Sequence, residues 1–361
     1  MASYLLGIDN GGTVSKAALY TRDGQQVAVA SEKTALLIPK PGFTERNLDD
    51  LWSANCRSIR SVIEKAGIKA ADIAAVASTG HGNGAYFVDA DLNPLGNGII
   101  STDLRAGEYV RNWYKDGTFN TVLPKTMQSI WAGQPVALLA WLKDNSPGMF
   151  EKIRWVLMCK DYIRLRLTGE VFAEITDMSG TSLMNVQNAC YDEDILEAFG
   201  LPEIRPLLPE VRGAADICGK VTREAAGATG LAEGTPVAGG LFDINACAVA
   251  TGIIDDSRLC CIAGTWSINE YISTTPVVAE DHFMTTIYCI PGYWLIGDSS
   301  PTSAGNLEWF VTNFMDSACD EGKNVYEGCN ELVEKLSPDD SVVFLPFLFG
   351  SYVGPEASGG F

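Results

Sequence analysis

The sequence predicts an α/β protein with two related domains that face each other across a cleft. Residues 4–20 and residues 259–272 carry the same pattern, in which a turn containing glycine and threonine joins two strands. The region between them, roughly 100–230, has mostly helical patterning. At 361 residues the chain exceeds one ordinary core, which favours two domains of about 150 to 200 residues each.

The first domain is predicted to open with three strands and a helix. Asp23-Gly24 marks a tight turn between the second and third strands. Apolar residues recur at helical spacing after Asn47, and Gly67 stands where a helix C-cap belongs. A loop with the sequence TGHGNG separates the last two strands. The predicted strands are residues 4–8, 15–20, 27–30, 73–78 and 85–88, and the predicted helix is 47–66.

The second domain is predicted to repeat the opening arrangement. The glycine-rich segment TGLAEGTPVAGG marks a boundary, so that the first domain spans residues 1–233 and the second spans 234–361. A helix is expected to begin near Gly305. The predicted strands are 259–263, 267–272, 294–297 and the apolar run SVVFLPFLF at 341–349.

Composition and charge exclude several classes of function. A net charge of -19 argues against a surface for nucleic acids or anionic membranes, because both partners are polyanions. The N-terminus lacks a signal-peptide pattern, and no apolar run approaches a membrane span, so a cytoplasmic location is expected. Ten cysteines without a CxxC motif, and only two histidines, favour buried reduced thiols over zinc sites or disulfides.

The stretch GIDNGGTVSK, residues 7–16, combines a carboxylate with a glycine turn. It fits neither a Walker loop nor the dinucleotide fingerprint, because Thr13 and Val14 follow Gly12 and the turn joins two strands. By itself the stretch fits a tight β-turn with a surface lysine as well as it fits a phosphate-binding loop.

Seven ordered blocks resemble the FGGY carbohydrate kinases, which are sugar and polyol kinases of the actin and hexokinase superfamily. The resemblance implies two actin-like, ribonuclease H-like domains around a cleft. It is strongest toward the L-xylulose kinase and xylulokinase branch, through GGLFD and SPTSAGNLEWF. The blocks are GIDNGGTVSK, STDLR, KDYIRLRLTGE, GGLFDINACAVATG, AGTWSINEY, SPTSAGNLEWF and LPFLFGS.

The resemblance implies ATP-dependent phosphorylation of a sugar hydroxyl, with ATP and Mg²⁺ as cofactors. A keto-pentose such as L-xylulose is the expected substrate. The TGHGNG loop departs from the Met-His-Gly of D-xylulose kinases. This departure counts against D-xylulose. D-Xylulose, glycerol and erythritol are the alternative substrates, because epimers differ by the placement of one hydroxyl.

The resemblance places the nucleotide on both predicted glycine-threonine turns. Asp9 would hold Mg²⁺, and backbone amides of the first turn would grip the phosphates, as anion-binding nests do. Each position has a plainer interpretation as a strand turn or a helix start. The implied residues are Asp9, Gly11, Gly12, Thr13, Lys16, Gly264, Thr265, Gly305 and Asn306.

Asp243 matches the family's catalytic base and would also contact the sugar. It precedes a helical run, so it is also expected to cap that helix, whose N-terminus favours the ionised carboxylate. Asp103 and Arg105 offer an acceptor and a forked donor, although a D-x-R sequence also suits a solvated helix start. The other implied sugar contacts are His81, Gly82 and Gln134, with Trp131 beside the pocket. For His81, a hydrogen bond that stabilises the loop is the alternative.

The sequence after LPFLFGS departs from the family, because full-length relatives continue with an adenosine motif. The second domain is therefore expected to be incomplete, with weak Mg-ATP binding and little activity. The apolar run 341–349 would then be uncovered, so poor solubility or self-association is expected, and a homodimer is compatible with the sequence. A non-catalytic sugar-binding relic is the alternative to an enzyme.

Overall fold

The computed structural model describes residues 3–263, 267–300, 303–315, 324–337, 342–348 and 359–360. The strands in these ranges are β1 (Tyr4–Asn10), β2 (Val14–Thr21), β3 (Gln26–Lys33), β4 (Glu45–Arg46), β5 (Ile73–Gly80), β6 (Tyr86–Val88), β7 (Gly98–Ile99), β8 (Trp155–Leu157), β9 (Ala173–Glu174), β10 (Met184–Asn185), β11 (Cys190–Tyr191), β12 (Val211–Arg212), β13 (Ile217–Lys220), β14 (Pro236–Ala238), β15 (Leu241–Phe242), β16 (Cys260–Ala263), β17 (Ser267–Ser273), β18 (Met284–Ile287) and β19 (Trp294–Ser300).

The helices in the same ranges are α1 (Leu48–Ala66), α2 (Gly107–Lys115), α3 (Thr118–Thr126), α4 (Pro135–Asn145), α5 (Pro147–Phe150), α6 (Cys159–Thr168), α7 (Ile175–Met178), α8 (Glu193–Ala198), α9 (Arg223–Thr229), α10 (Asp243–Ala250), α11 (Ala304–Phe310) and α12 (Val325–Val333). The predicted helical character of the middle region is confirmed by α2 to α9, although short strands interrupt it.

The first sheet has the strand order β13-β14-β5-β1-β2-β3, and β15 also pairs with β5. Strands β1, β2 and β3 are antiparallel neighbours, whereas β5 runs parallel to β1. The predicted strand, glycine turn and strand at the start of the chain are confirmed as β1 and β2. Because β1 and β5 end at the same edge, the glycine turn and the TGHGNG loop are brought together there.

Helix α1 covers one face of this sheet, and both of its ends are fixed by local signals. The Asn47 side chain accepts hydrogen bonds from the amides of Asp49 and Asp50, which caps the N-terminus. Gly67 adopts a left-handed conformation with φ of 63°, which closes the C-terminus as predicted. The buried residues Leu51 and Val62 pack into the core beneath the sheet.

The second sheet is antiparallel, with the order β16-β17-β19-β18. The predicted strands at 259–263, 267–272 and 294–297 are confirmed, but their predicted turn at Gly264 and Thr265 lies outside the described residues. The predicted strand at 341–349 is wrong within the described residues 342–348, where Leu345 alone forms a bridge, to Gly360. Pro346 explains this, because proline cannot donate a ladder hydrogen bond.

Backbone hydrogen bonds tie the second sheet to the helical region. The Thr285 amide donates to the Met127 carbonyl at 2.9 Å, and the Ser129 amide donates to the Phe283 carbonyl at 2.9 Å. The boundary at residue 233 stays a prediction, and β14 and β15, which follow it, pair with the first sheet.

The thiols are unpaired at all nine cysteines that the structure describes, as expected. Their predicted burial holds only for some of them. Cys260 is buried in the hydrophobic core against the second sheet, whereas its neighbour Cys261 is exposed, because successive side chains on a strand face opposite sides. Cys190 and Cys247 are exposed as well.

None of the helices in the described ranges combines the length and the apolarity that a bilayer crossing requires.

Candidate active site

A cavity of about 690 Å³ lies between the first sheet and helix α10. Its walls come from β1, β2 and β5 on one side and from α10 on the other. Because side chains alternate along a strand, the residues that face the cavity are those that point away from α1. They include Asp9, Lys16 and Thr79 opposite Ala246 and Val249.

Asp9 and Lys16 form a cross-strand pair at the edge of this cavity. The antiparallel register places them directly opposite each other, and Nζ of Lys16 lies 3.5 Å from Oδ2 of Asp9. Both side chains are partly exposed, with 39% exposure for Asp9 and 53% for Lys16. The pair is therefore open to a ligand in the cleft and contributes little to stability.

The glycine loop after β1 presents two amides without an acceptor. The Gly11 amide donates to the Val14 carbonyl at 3.0 Å, which closes the turn. Within the described part of the chain, the amides of Gly12 and Thr13 have no hydrogen-bond acceptor. The loop can therefore offer two of the three predicted amides to an anion.

Asp243 is the first residue of α10, the helix whose residues Ala246 and Val249 line the opposite wall. The predicted N-cap role is wrong, because the helix starts at Asp243 itself and Phe242 is the capping residue. Oδ1 of Asp243 accepts a hydrogen bond from the Ile244 amide at 2.8 Å. Burial raises the pKa of Asp243 to about 7, and the negative charge of Asp9 adds to the shift. The hydrogen bond from the Ile244 amide favours the ionised form, as expected at a helix N-terminus, but desolvation is the larger effect.

His81 is held by the protein itself. Its Nε2 lies 2.9 Å from the hydroxyl of Tyr86, and its Nδ1 lies 3.4 Å from the Gly82 carbonyl. Burial and the nearby charge of Arg46 lower the pKa of His81 to about 3, so the ring is neutral. The stabilising hydrogen bond that the sequence left open is present, and a sugar contact stays a prediction.

Gly82 is required by close packing against the ring of Phe242. A Cβ atom at this position would lie 2.0 Å from that ring. The glycine therefore brings the TGHGNG loop against the residue that precedes Asp243.

Asp103 and Arg105 form a buried ion pair and do not start a solvated helix. Nε of Arg105 donates to Oδ1 of Asp103 at 2.9 Å, and Glu45 accepts from Nη2 of Arg105 at 2.7 Å. The guanidinium lies 4.2 Å from the ring centre of Phe43 and 5.2 Å from that of Trp141. Both residues are held in place by this network, and their contact with a sugar stays a prediction.

Gln134 and Trp131 lie in the segment between α3 and α4. The Gln134 amide donates to Gln128 Oε1 at 3.1 Å, and its oxygen lies 3.3 Å from the Ser182 hydroxyl, so both ends have partners. Trp131 stacks on Phe283, with ring centres 5.1 Å apart.

A buried charge cluster supports the start of α10. We define this Lys160 cluster by five side chains that are fully buried: Lys160, Asp161, Arg164, Glu174 and Asp177. Its link to the site is Thr176, which donates to Glu174 at 2.7 Å and accepts from the Phe242 amide at 3.0 Å. The cluster therefore holds the backbone next to Asp243.

The other residues that are predicted to contact the nucleotide follow β16 in the sequence. Gly264 and Thr265 lie outside the described residues. Gly305 and Asn306 lie in the first turn of α11, where Nδ2 of Asn306 is 3.4 Å from the Pro346 carbonyl. Their contact with nucleotide stays a prediction.

Sequence reasoning missed Arg46 and Thr176. Arg46 donates through Nη2 to the carbonyls of Gly11, at 2.7 Å, and Gly12. Neither residue stands in a recognisable motif, since Arg46 binds carbonyls of the glycine loop and Thr176 accepts from the Phe242 amide, all more than 30 residues away in sequence.

Comparison with known proteins shows which family the chain resembles. Residues 4–250 match the N-terminal domain of the FGGY family of carbohydrate kinases. The L-xylulose/3-keto-L-gulonate kinase of Escherichia coli is 38% identical over 363 residues, covering 100% of this chain and 72% of that protein. A probable L-xylulose kinase of Pasteurella multocida is 38% identical over 358 residues, covering 98% and 72%.

The fold also matches a solved structure. The crystal structure of xylulose kinase from Rhodospirillum rubrum superposes with a TM-score of 0.90 at 24% identity, covering 99% of this chain and 72% of that one. This likeness confirms the predicted two-domain, actin-like architecture. With the family match over most of its length, the chain belongs to the FGGY family of carbohydrate kinases.

Proposed function

We propose that this protein transfers the terminal phosphoryl group of ATP to a hydroxyl group of a keto-pentose, with L-xylulose as the preferred acceptor. The observation that carries the proposal is that Asp9 lies near enough to Asp243 for its charge to raise the pKa of that carboxyl, beside a loop with two free amides. Phosphoryl transfer needs charge neutralisation on the phosphates and a group that orients the acceptor hydroxyl. The two walls of the cleft provide one group for each task.

Asp243 is the proton acceptor in this proposal. Its carboxylate stands at the start of α10, where Oδ1 is fixed by the Ile244 amide and Oδ2 is left for the substrate. A general base is most effective when its pKa lies near the operating pH. The raised pKa of about 7 satisfies that condition.

Asp9 is the residue that would hold Mg²⁺. Its carboxylate is partly exposed in the cleft, and hard oxygen ligands of this kind suit an ion that keeps several waters and binds nucleotide phosphates. When bound, the ion would neutralise charge on those phosphates. The amides of Gly12 and Thr13 and the ammonium of Lys16 would contact the same phosphates.

A substrate panel tests the proposal directly. ADP release is measured with L-xylulose, 3-keto-L-gulonate, D-xylulose, glycerol and erythritol at matched concentrations. L-Xylulose is expected to give the highest kcat/KM, because two relatives that are 38% identical are named for L-xylulose and the TGHGNG loop departs from the D-xylulose pattern. Calorimetry that detects sugar binding but no binding of ATP or ADP would favour the sugar-binding relic and contradict the enzyme.

Replacing Asp9 with alanine should raise the Mg²⁺ concentration that half-maximal activity requires and weaken Mg-ATP binding. Sugar binding should stay unchanged, because the Asp9 side chain contacts Lys16 and not the sugar-side residues. Activity is titrated with Mg²⁺ at fixed ATP. Asp23→Ala is the matched control, since it removes an exposed carboxylate from the next turn of the same sheet. An unchanged Mg²⁺ requirement in Asp9→Ala would contradict the assignment.

The pH dependence of kcat/KM should follow the ionisation of Asp243. Because the base must be ionised, the rate should rise with pH through about 7 and level off above it. ADP release is measured between about pH 5.5 and 8.5, within the range over which such groups titrate. A flat profile in the wild type would argue against Asp243 as the base.

A cytoplasmic location and a homodimer stay predictions from the sequence.

A further inference from the structure

Arg46 is a buried cation without a counter-charge. Its side chain is almost completely enclosed, with 1% exposure. Among the residues that the structure describes, it forms no ion pair, and its Nε and Nη1 atoms have no hydrogen-bond partner. Burying a charge without a partner is costly, so buried arginines are normally paired with carboxylates. An unpaired arginine beside a candidate site therefore calls for a functional explanation.

The contacts of Arg46 determine how the glycine loop is oriented. Its Nη2 donates to the carbonyl oxygens of both Gly11 and Gly12. In a trans peptide the carbonyl and the following N–H point in opposite directions, and the described residues contain no cis peptide. The amides of Gly12 and Thr13 must therefore point away from Arg46. These are the two loop amides without an acceptor.

The charge of Arg46 acts in the same direction as this geometry. Two adjacent amides that point to one side form a concavity that attracts anions. The guanidinium behind them adds a full positive charge, and no carboxylate in the described ranges forms an ion pair that would cancel it. Neighbouring His81 is neutral, so it neither adds to that charge nor reduces it.

Arg46 also connects the phosphate side of the site with the sugar side. Three consecutive residues make the connection. The Thr44 amide donates to Oδ2 of Asp103 at 2.7 Å, and Glu45 pairs with Arg105 at 2.7 Å. Arg46 then holds the glycine loop. Residues 44–46, which include β4, thus connect the Asp103–Arg105 pair to the loop.

We propose that Arg46 is the positioning residue that turns the Gly11-Gly12-Thr13 loop into a phosphate-binding nest. It does so by holding two carbonyls from behind and by supplying an uncancelled positive charge. This inference rests on the proposed function, because it takes the loop to bind the phosphates of ATP. It adds a residue that touches neither nucleotide nor sugar and acts through the loop backbone.

Arg46→Met tests the inference, because methionine has a similar length but neither charge nor donors. Calorimetry should show binding of ADP and Mg-ATP weakened by about ten- to a hundredfold, which is the effect of losing charged hydrogen bonds. Sugar affinity should stay within about twofold, since the Asp103–Arg105 pair keeps its other partners. Arg46→Lys keeps the charge and one donor group, so it should recover part of the loss. Arg57→Met is the matched control, because Arg57 pairs with Glu32 at the surface.

A second measurement uses the wild-type protein and does not depend on the variant folding. In a spectrum of glycine- and threonine-labelled protein, ADP should shift the amide signals of Gly12 and Thr13 strongly and that of Gly11 weakly. Unchanged signals from Gly12 and Thr13 would overturn the inference.

The outcomes also separate the inference from the proposed function. If the wild type binds ADP and Arg46→Met binds it equally well, the inference alone is overturned. If the wild type binds no ADP at all, both the proposed function and the inference fail.

Discussion

Asp243→Asn is expected to lower kcat by about 10² to 10⁴, which is the usual cost of removing a positioned proton acceptor. Sugar affinity should change by no more than a few fold. The asparagine side-chain oxygen can still accept the hydrogen bond from the Ile244 amide, so the start of α10 keeps its shape. The asparagine side chain cannot, however, take the proton from the substrate hydroxyl. The change therefore separates chemistry from binding.

The measurement needs a control that removes an aspartate with the same local geometry. Asp298 is suitable, because its Oδ1 also accepts from the amide of the next residue, Ser299, at 3.0 Å, and it is exposed on β19. Asp298→Asn should leave kcat unchanged. Calorimetry with sugar alone gives the affinity. Turnover of Asp243→Asn near the wild-type value would remove Asp243 from the role of base.

The parts of the fold that the sequence predicted are those with local signals. Helix α1 could be predicted at both ends, because Asn47 caps it through its own side chain and Gly67 supplies the left-handed residue. The β1–β2 hairpin could be predicted from alternation around a glycine turn. The run 341–349 has the apolar pattern of a buried strand, but Pro346 near its centre cannot donate a ladder hydrogen bond, so the predicted strand is wrong within residues 342–348.

The sequence indicated which residues belong to the candidate site, but it could not predict their pKa values. The family blocks pointed to Asp9, Asp243 and the Asp103–Arg105 pair, but the pKa of Asp243 depends on how the folded chain excludes water. Arg46 could not be predicted, because its partners are carbonyl oxygens of a loop 34 and 35 residues away. Interactions with backbone atoms leave no pattern in the side chains of a single sequence.

The Lys160 cluster illustrates the same limit, because its charges gave no sign of burial. Lys160 lies 3.0 Å from Asp161, 3.3 Å from Glu174 and 3.4 Å from Asp177, and all four side chains are fully buried. Burial raises the pKa of Asp177 to about 8, although Lys160 opposes the shift. With Asp177 protonated near neutral pH, the cluster has two cations and two carboxylates. Without Lys160, Arg164 would be the single cation beside these two carboxylates.

Lys160→Met is therefore expected to lower the free energy of unfolding by about 3–5 kcal/mol, because it leaves buried carboxylates with one cation. The loss should be largest at high pH. Asp177 has a folded pKa of about 8, above the ordinary 3.8, so its protonated form favours folding at low pH. That contribution disappears as the pH rises through about 8. Losing Lys160 raises the folded pKa of Asp177 further, so the decline in stability continues to higher pH.

Chemical denaturation at about pH 5.5 and 8.5, on either side of neutrality, measures both effects. Lys143→Met is the control, because Lys143 pairs with Glu203 at the surface and should matter by less than about 0.5 kcal/mol. Adding Asp177→Asn to Lys160→Met removes the carboxyl group whose ionisation opposes folding, so it should recover part of the stability at about pH 8.5. Because Thr176 accepts from the Phe242 amide and donates to Glu174 of the cluster, Lys160→Met should also lower kcat, and the double variant should recover part of it. A Lys160→Met protein as stable as the wild type at pH 8.5 would mean that the cluster does not depend on its lysine.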